Sequence, residues 1–186
     1  IAANSQQVAI NAAEIVNQGG NIQTRHALAI DTQQLNNRQG LINAADATLT
    51  LGVLDNTAQG ELLVAGQLDL ASQEVNNDGI ISATRLVADV AQLTNRMDGR
   101  VTAEMLQLSG GLLQNSGLIY ADNLQLQAEQ LHNSGLLQVL QHGNINAVTL
   151  LNQQGSILSG DVLAIQSGQL SNSGGLLQGN QVQITP

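Results

Sequence analysis

Few side chains of this chain can do acid–base or ligand chemistry: 14 carboxylates, three histidines and five arginines, with no Cys and no Lys. Two carboxylates on one face would serve glycoside hydrolysis, one as acid and the other as base or nucleophile. Carboxylates converging with histidines would hold a divalent cation. Either chemistry depends on what the fold brings together. The groups to place are Glu14, Asp31, Asp69, Glu74 and Asp89, and His26, His132 and His142.

The elements that must position them are repeats. An aliphatic residue, any residue and Asn, with Gly two to four residues on, recur at Ile15/Asn17, Leu35/Asn37, Leu54/Asn56, Val75/Asn77, Leu93/Asn95, Leu113/Asn115, Leu131/Asn133, Leu150/Asn152 and Leu170/Asn172. Successive Asn spacings are 20, 19, 21, 18, 20, 18, 19 and 20, so the unit changes length by a residue or so while its pattern holds. Such variation belongs in turns. Aliphatic pairs two residues apart precede most markers, as at Val8/Ile10, Leu28/Ile30, Leu68/Leu70, Leu106/Leu108, Leu124/Leu126, Leu163/Ile165 and Val182/Ile184, and a spacing of two is strand periodicity. A further strand follows the Gly, as in GLIYAD at 117–122 and GSILSG at 155–160. Helix-pair repeats need longer units and apolar spacings of three and four.

The pattern therefore predicts an all-β chain: a parallel β-helix of about nine coils, about 19 residues and three short strands per coil, with residues 1–186 forming a single array. Its crossovers should be right-handed, as parallel crossovers almost always are. At the strand separation of about 4.8 Å the rod would be roughly 45 Å long. One Tyr and no Phe or Trp suit a narrow core of constant-sized side chains. The nine Asn are expected to form an axial ladder of amides while taking left-handed backbone angles at a corner, with Gly doing the same at the next turn.

Aligned by these ladders, Asp69 is expected outward between Thr50 and Val87, without an acidic partner. Asp31 and Asp89 share a position, with Gly52 and Ala71 expected between them, and Glu14 and Glu74 stand three coils apart. His132 and His142 are half a coil apart and should face different sides. We expect no enzyme, no cofactor and no metal site. The net charge of −9 and the scattered Arg25, Arg38, Arg85, Arg96 and Arg100 argue against nucleic acid, which needs clustered cations. No apolar run approaches the roughly 20 residues of a membrane-spanning helix. The polar surface is mostly amide. Gln107, Gln125 and Asn144 should stack in successive coils, as should Gln127, Asn146 and Gln166, and such amides are expected to satisfy one another along the stack. With the lone aromatic Tyr120, expected outward on a first strand, Gln107, Gln125 and Asn144 form the candidate binding face.

Units such as GLIYADNLQLQAEQLHNSG at 117–135 and GRVTAEMLQLSGGLLQNSG at 99–117 resemble the repeats of the filamentous haemagglutinin family, and the resemblance covers essentially the whole chain. Members are exoproteins of Gram-negative bacteria exported by two-partner secretion, among them adhesins, haemolysins and contact-dependent growth inhibition proteins that carry a distal toxin. The resemblance implies a right-handed β-helix, a secreted or cell-surface location, an outer-membrane transporter as partner during export, and a structural or adhesive role. It implies no catalytic residues. On this reading the chain is a stalk segment. The alternative is a binding module whose flat face recognises a host or target-cell receptor, a glycan or another filament. Ile1 stands within a repeat, which predicts an internal fragment of a longer exoprotein whose uncapped end coils associate end to end. The units at 60–79 and 135–155 depart from the pattern before their second strand, where bulges or small loops are expected.

Overall fold

Alternating aliphatic residues in runs of four to six, broken at regular intervals, form strands that cannot bury their apolar side unless stacked on another copy of themselves. In the computed structural model, which describes residues 2–3 and 7–186, that stacking is carried through. Ile1, on which the expectation of an incomplete first repeat rests, lies outside the described residues. Every strand pairing is parallel, with no helix among the described residues, and about nine turns stack some 20 residues apart.

The coil at 118–133 shows the plan. Its continuous strand, Leu118–Asn133, pairs with the coil below over residues 118–121, 123–128 and 130–133, and the ladder skips Asp122 and Glu129. Three short strands are thus joined by two single-residue corners and one turn at the Asn. Ile119, Ala121, Leu124, Leu126, Ala128, Leu131 and Asn133 face inward and are buried. Equivalent positions in the other coils complete one core along the rod. Val182 and Ile184 pair with the inward Leu163 and Ile165 but are themselves exposed.

Length variation sits where the sequence places it. The register shifts between Val64 and Gln67, and strands break between Val139 and His142. The same corner is also broken at Thr24/Ala27, Ala44/Asp46, Ser159/Val162 and Gln178/Gln181, which the pattern did not single out.

Most of the left-handed angles are not where they were expected. No Asn of the ladder has a positive φ, and of the turn glycines only Gly19 and Gly174 do, each followed by a second Gly that does not. In the four turns with two residues between Asn and Gly, the residue just before that Gly is left-handed instead: Gly19, Gln39, Gln154 and Gly174, at φ 61, 54, 61 and 66. Ala58 and Gln59 do the same in a longer turn. A side chain with a β-carbon pays about 1–2 kcal/mol there, against a smaller entropic cost for Gly. Gln154→Gly should therefore raise stability by about 0.5–1 kcal/mol, read as a higher urea midpoint, and an unchanged or lower midpoint would refute that assignment of strain.

Candidate functional site

The Asn ladder is the most ordered constellation of polar groups. Each Asn ends a third strand or directly follows it, and from Asn17 to Asn152 its side chain is inward, because the alternation that buries Leu131 also buries Asn133. Nδ2 of each donates to Oδ1 of the next along Asn17, Asn37, Asn56, Asn77, Asn95, Asn115, Asn133, Asn152 and Asn172, at 2.6–2.8 Å throughout. The second amide hydrogen bonds backbone carbonyls, as from Asn95 to Leu118 O at 3.1 Å and from Asn133 to Ser156 O at 3.2 Å. From Asn17 to Asn152 these residues are at most 6% exposed. Their donors are spent within the ladder, so it ties coil to coil and has nothing to offer a ligand. A second inward polar set escaped the sequence reading: Thr32, Ser72 and Ser167 replace aliphatics at one corner, and each hydroxyl donates to the carbonyl two residues on. The signal was present as small hydroxyl residues at an aliphatic position, which periodicity alone does not separate from surface.

The outward amides are in register as expected. Gln107, Gln125 and Asn144 are paired across successive coils, and so are Gln127, Asn146 and Gln166. They do not satisfy one another: neither set has a hydrogen bond between its side chains, in contrast to the inward Asn. Gln107, Gln125 and Asn144 line an open groove of about 230 Å³ with Arg85, Asn123 and His142. Tyr120 is not on that face. It is half-buried on a first strand, beyond the corner at Asp122, beside Thr102 and Glu104 in a separate groove. The expected single binding face is therefore two faces, because one corner residue redirects the chain between Tyr120 and Gln125.

The carboxylates stay dispersed. Asp69 lies between Thr48 and Val87, not Thr50, and its carboxylate accepts both oxygens' bonds from Gln67 Nε2 at 2.8 and 2.9 Å. Asp31 and Asp89 are separated by Thr50 and Ala71, not Gly52. Glu14 and Glu74 are three coils apart, with Gln34 and Val53 between. His142 Nδ1 is 3.5 Å from Asp161, on a second strand, whereas His132 is on a third strand in a different groove. No three His, Asp or Glu converge as metal ligands among the described residues. A groove of about 770 Å³ runs along the corner between second and third strands over Ala71, Gly110, Gly111 and Ala128, with Asp89 and Glu129 on different coils of its wall.

Compared with models of protein families, with curated proteins and with solved structures, the chain matches none.

Proposed function

We propose that this chain is a stiff structural stalk, a segment of a secreted or surface-exposed bacterial exoprotein that holds a distal binding or toxin region away from the producing cell. The observation that carries the reading is the Asn ladder, unbroken from Asn17 to Asn172 and backed by a core continuous from Val8 to Ile165. Bending such a rod must stretch buried charge-free hydrogen bonds on one side while opening aliphatic packing on the other. The similarity of the repeat units to those of the filamentous haemagglutinin family supports an adhesin-like parent exported through an outer-membrane transporter. A stalk needs no catalytic group, and the dispersed carboxylates agree with that role.

One observation favours a second reading, a binding module. Gln107, Gln125 and Asn144 keep their amide donors and acceptors uncommitted on one face. Uncommitted amides in a flat strip suit a glycan or receptor backbone. Labelled chain incubated with intact eukaryotic and bacterial cells separates the two. For a stalk we expect no saturable binding to either. Saturable binding lost in Gln107→Ala/Gln125→Ala and kept in Tyr120→Ala would replace the stalk reading with an amide-face binder. Since Tyr120 lies on another face, the two variants must be tested apart.

A further inference from the structure

The outward face of the first strands sets one acid and one base into a column of apolar residues. Its two outward columns are half-buried in most coils, as is the third-strand column of Asp55, Asn76, Thr94, Gln114 and His132, whereas the second-strand amides at Gln107, Gln125 and Asn144 stand exposed. One column runs Leu41, Glu61, Ile80, Arg100 and Leu118 through five consecutive coils. The adjacent column runs Asn43, Leu63, Ser82, Thr102 and Tyr120. Glu61 and Arg100 are two coils apart, about 10 Å, with Ile80 between them. Neither makes an ion pair; among the described residues the ion pairs are Arg38–Asp55 and His142–Asp161.

An order of apolar, acidic, apolar, basic, apolar is complementary to its own reverse. We propose that this face pairs with the same face of a second copy, the two rods antiparallel about a two-fold axis that runs along the strands through Ile80. The axis reverses coil order and keeps each column opposite itself. Glu61 then meets Arg100 of the second copy, and Arg100 meets its Glu61. Ile80 packs on Ile80, Leu41 on Leu118, and Ser82 on Ser82, where small side chains let the sheets approach. Stacked sheets cross at about 30°, which would part the ends of two rods. The charged residues are only one coil, about 5 Å, from the axis, so crossing leaves them in reach. Two faces about 13 Å wide that cross at about 30° overlap over about 340 Å² per copy, roughly 700 Å² in all, the size of a weak, transient contact. With nine net negative charges on each copy, the pairing is reversible and selective rather than tight. This goes beyond the stalk reading: it makes the rod a unit that bundles sideways in defined register.

Charge exchange tests it. In sedimentation equilibrium at about 0.15 M salt, the chain should dimerise with a dissociation constant in the micromolar to millimolar range. Glu61→Arg alone and Arg100→Glu alone should each weaken self-association by about tenfold or more, since like charges then oppose across the axis. Mixing the two variants should restore pairing as a heterodimer, and the double variant Glu61→Arg/Arg100→Glu should restore the homodimer. Both residues face outward, so thermal midpoints near that of the unaltered chain would show that the fold is intact. A chain that stays monomeric to about 1 mM overturns the proposal. So does association that both single variants leave unchanged, which would place the contact elsewhere, for instance between end coils. Failure of the mixture to recover pairing overturns the antiparallel register.

Discussion

Asn115→Ala is expected to destabilise the rod by about 3–5 kcal/mol, although it removes only a small polar side chain from an aliphatic interior. The amide makes three buried hydrogen bonds: it accepts from Asn95 Nδ2 at 2.8 Å and donates to Asn133 Oδ1 at 2.8 Å and Leu136 O at 3.2 Å. Each such bond is worth about 1 kcal/mol net, and a buried group left unpaired costs about 1–3 kcal/mol more. The damage is asymmetric. Asn95 keeps two carbonyl acceptors, Gly99 O and Leu118 O, so its donor remains partnered. Asn133 Oδ1 loses the donor from the coil below while its residue is 1% exposed. Gln125→Ala supplies the comparison, an amide on the outside with no side-chain partner, and should change stability by less than about 0.5 kcal/mol. Urea unfolding followed by circular dichroism measures both, and hydrogen exchange in the flanking coils shows whether the array opens locally at the gap. A loss below about 1 kcal/mol for Asn115→Ala would mean that the ladder fills space without binding coils together, and the stalk reading would lose its main support.

How much of this was legible in the sequence depended on what each signal can fix. The inward sets, such as Leu124, Leu126 and Leu131, followed from spacing because period two on a one-sided core leaves a residue no other place. The Asn ladder followed because its distance to the preceding aliphatic never varies. Neighbours across coils were less secure. A slip of two residues keeps every side chain on its own face, so alternation is blind to it, and Thr50 stood in for Thr48 beside Asp69. Corners leave a mark that period two alone does not interpret. At Asp122 the inward positions jump by three, from Ala121 to Leu124, and that break separates the face of Tyr120 from the face of Gln125. Backbone angles were misread from residue type alone: Gln39 and Gln154 are left-handed while the glycines after them are not. The self-complementary column of Glu61, Ile80 and Arg100 was within reach of an alignment by coil, but a search for convergent acids passes over a lone acid and a lone base two coils apart.

The glycines at the Asn turns must be small for a reason other than backbone freedom, and Gly117→Ala is expected to show it by costing about 3 kcal/mol or more. A β-carbon at Gly117 would lie 2.2 Å from Arg96 O and 2.3 Å from Gly99 O, both backbone atoms of the coil below. Neither can rotate away as a side-chain tip would. Relief requires the coils to part there, yet Leu118 N donates to that same Gly99 O at 2.9 Å, and Asn95 Nδ2 reaches Leu118 O beside it. The strain therefore falls on the first rung of the next strand and on the Asn ladder together, which is why a single methyl group should outweigh the usual cost of overpacking. The same close approach recurs at Gly40, Gly60, Gly79, Gly135 and Gly175, where an added β-carbon would come within 2.0–2.3 Å of a carbonyl oxygen from the preceding coil. Gly168 is the control: its β-carbon would meet only Val148 O at 3.3 Å, and Gly168→Ala should shift stability by less than about 1 kcal/mol. Equal tolerance of alanine at Gly117 and Gly168 in urea unfolding would show that the coils can separate at the turn without penalty. The seam where Asn and Gly meet would then be the flexible side of the rod, whereas a large loss at Gly117 alone makes it the line along which successive coils are held at fixed distance.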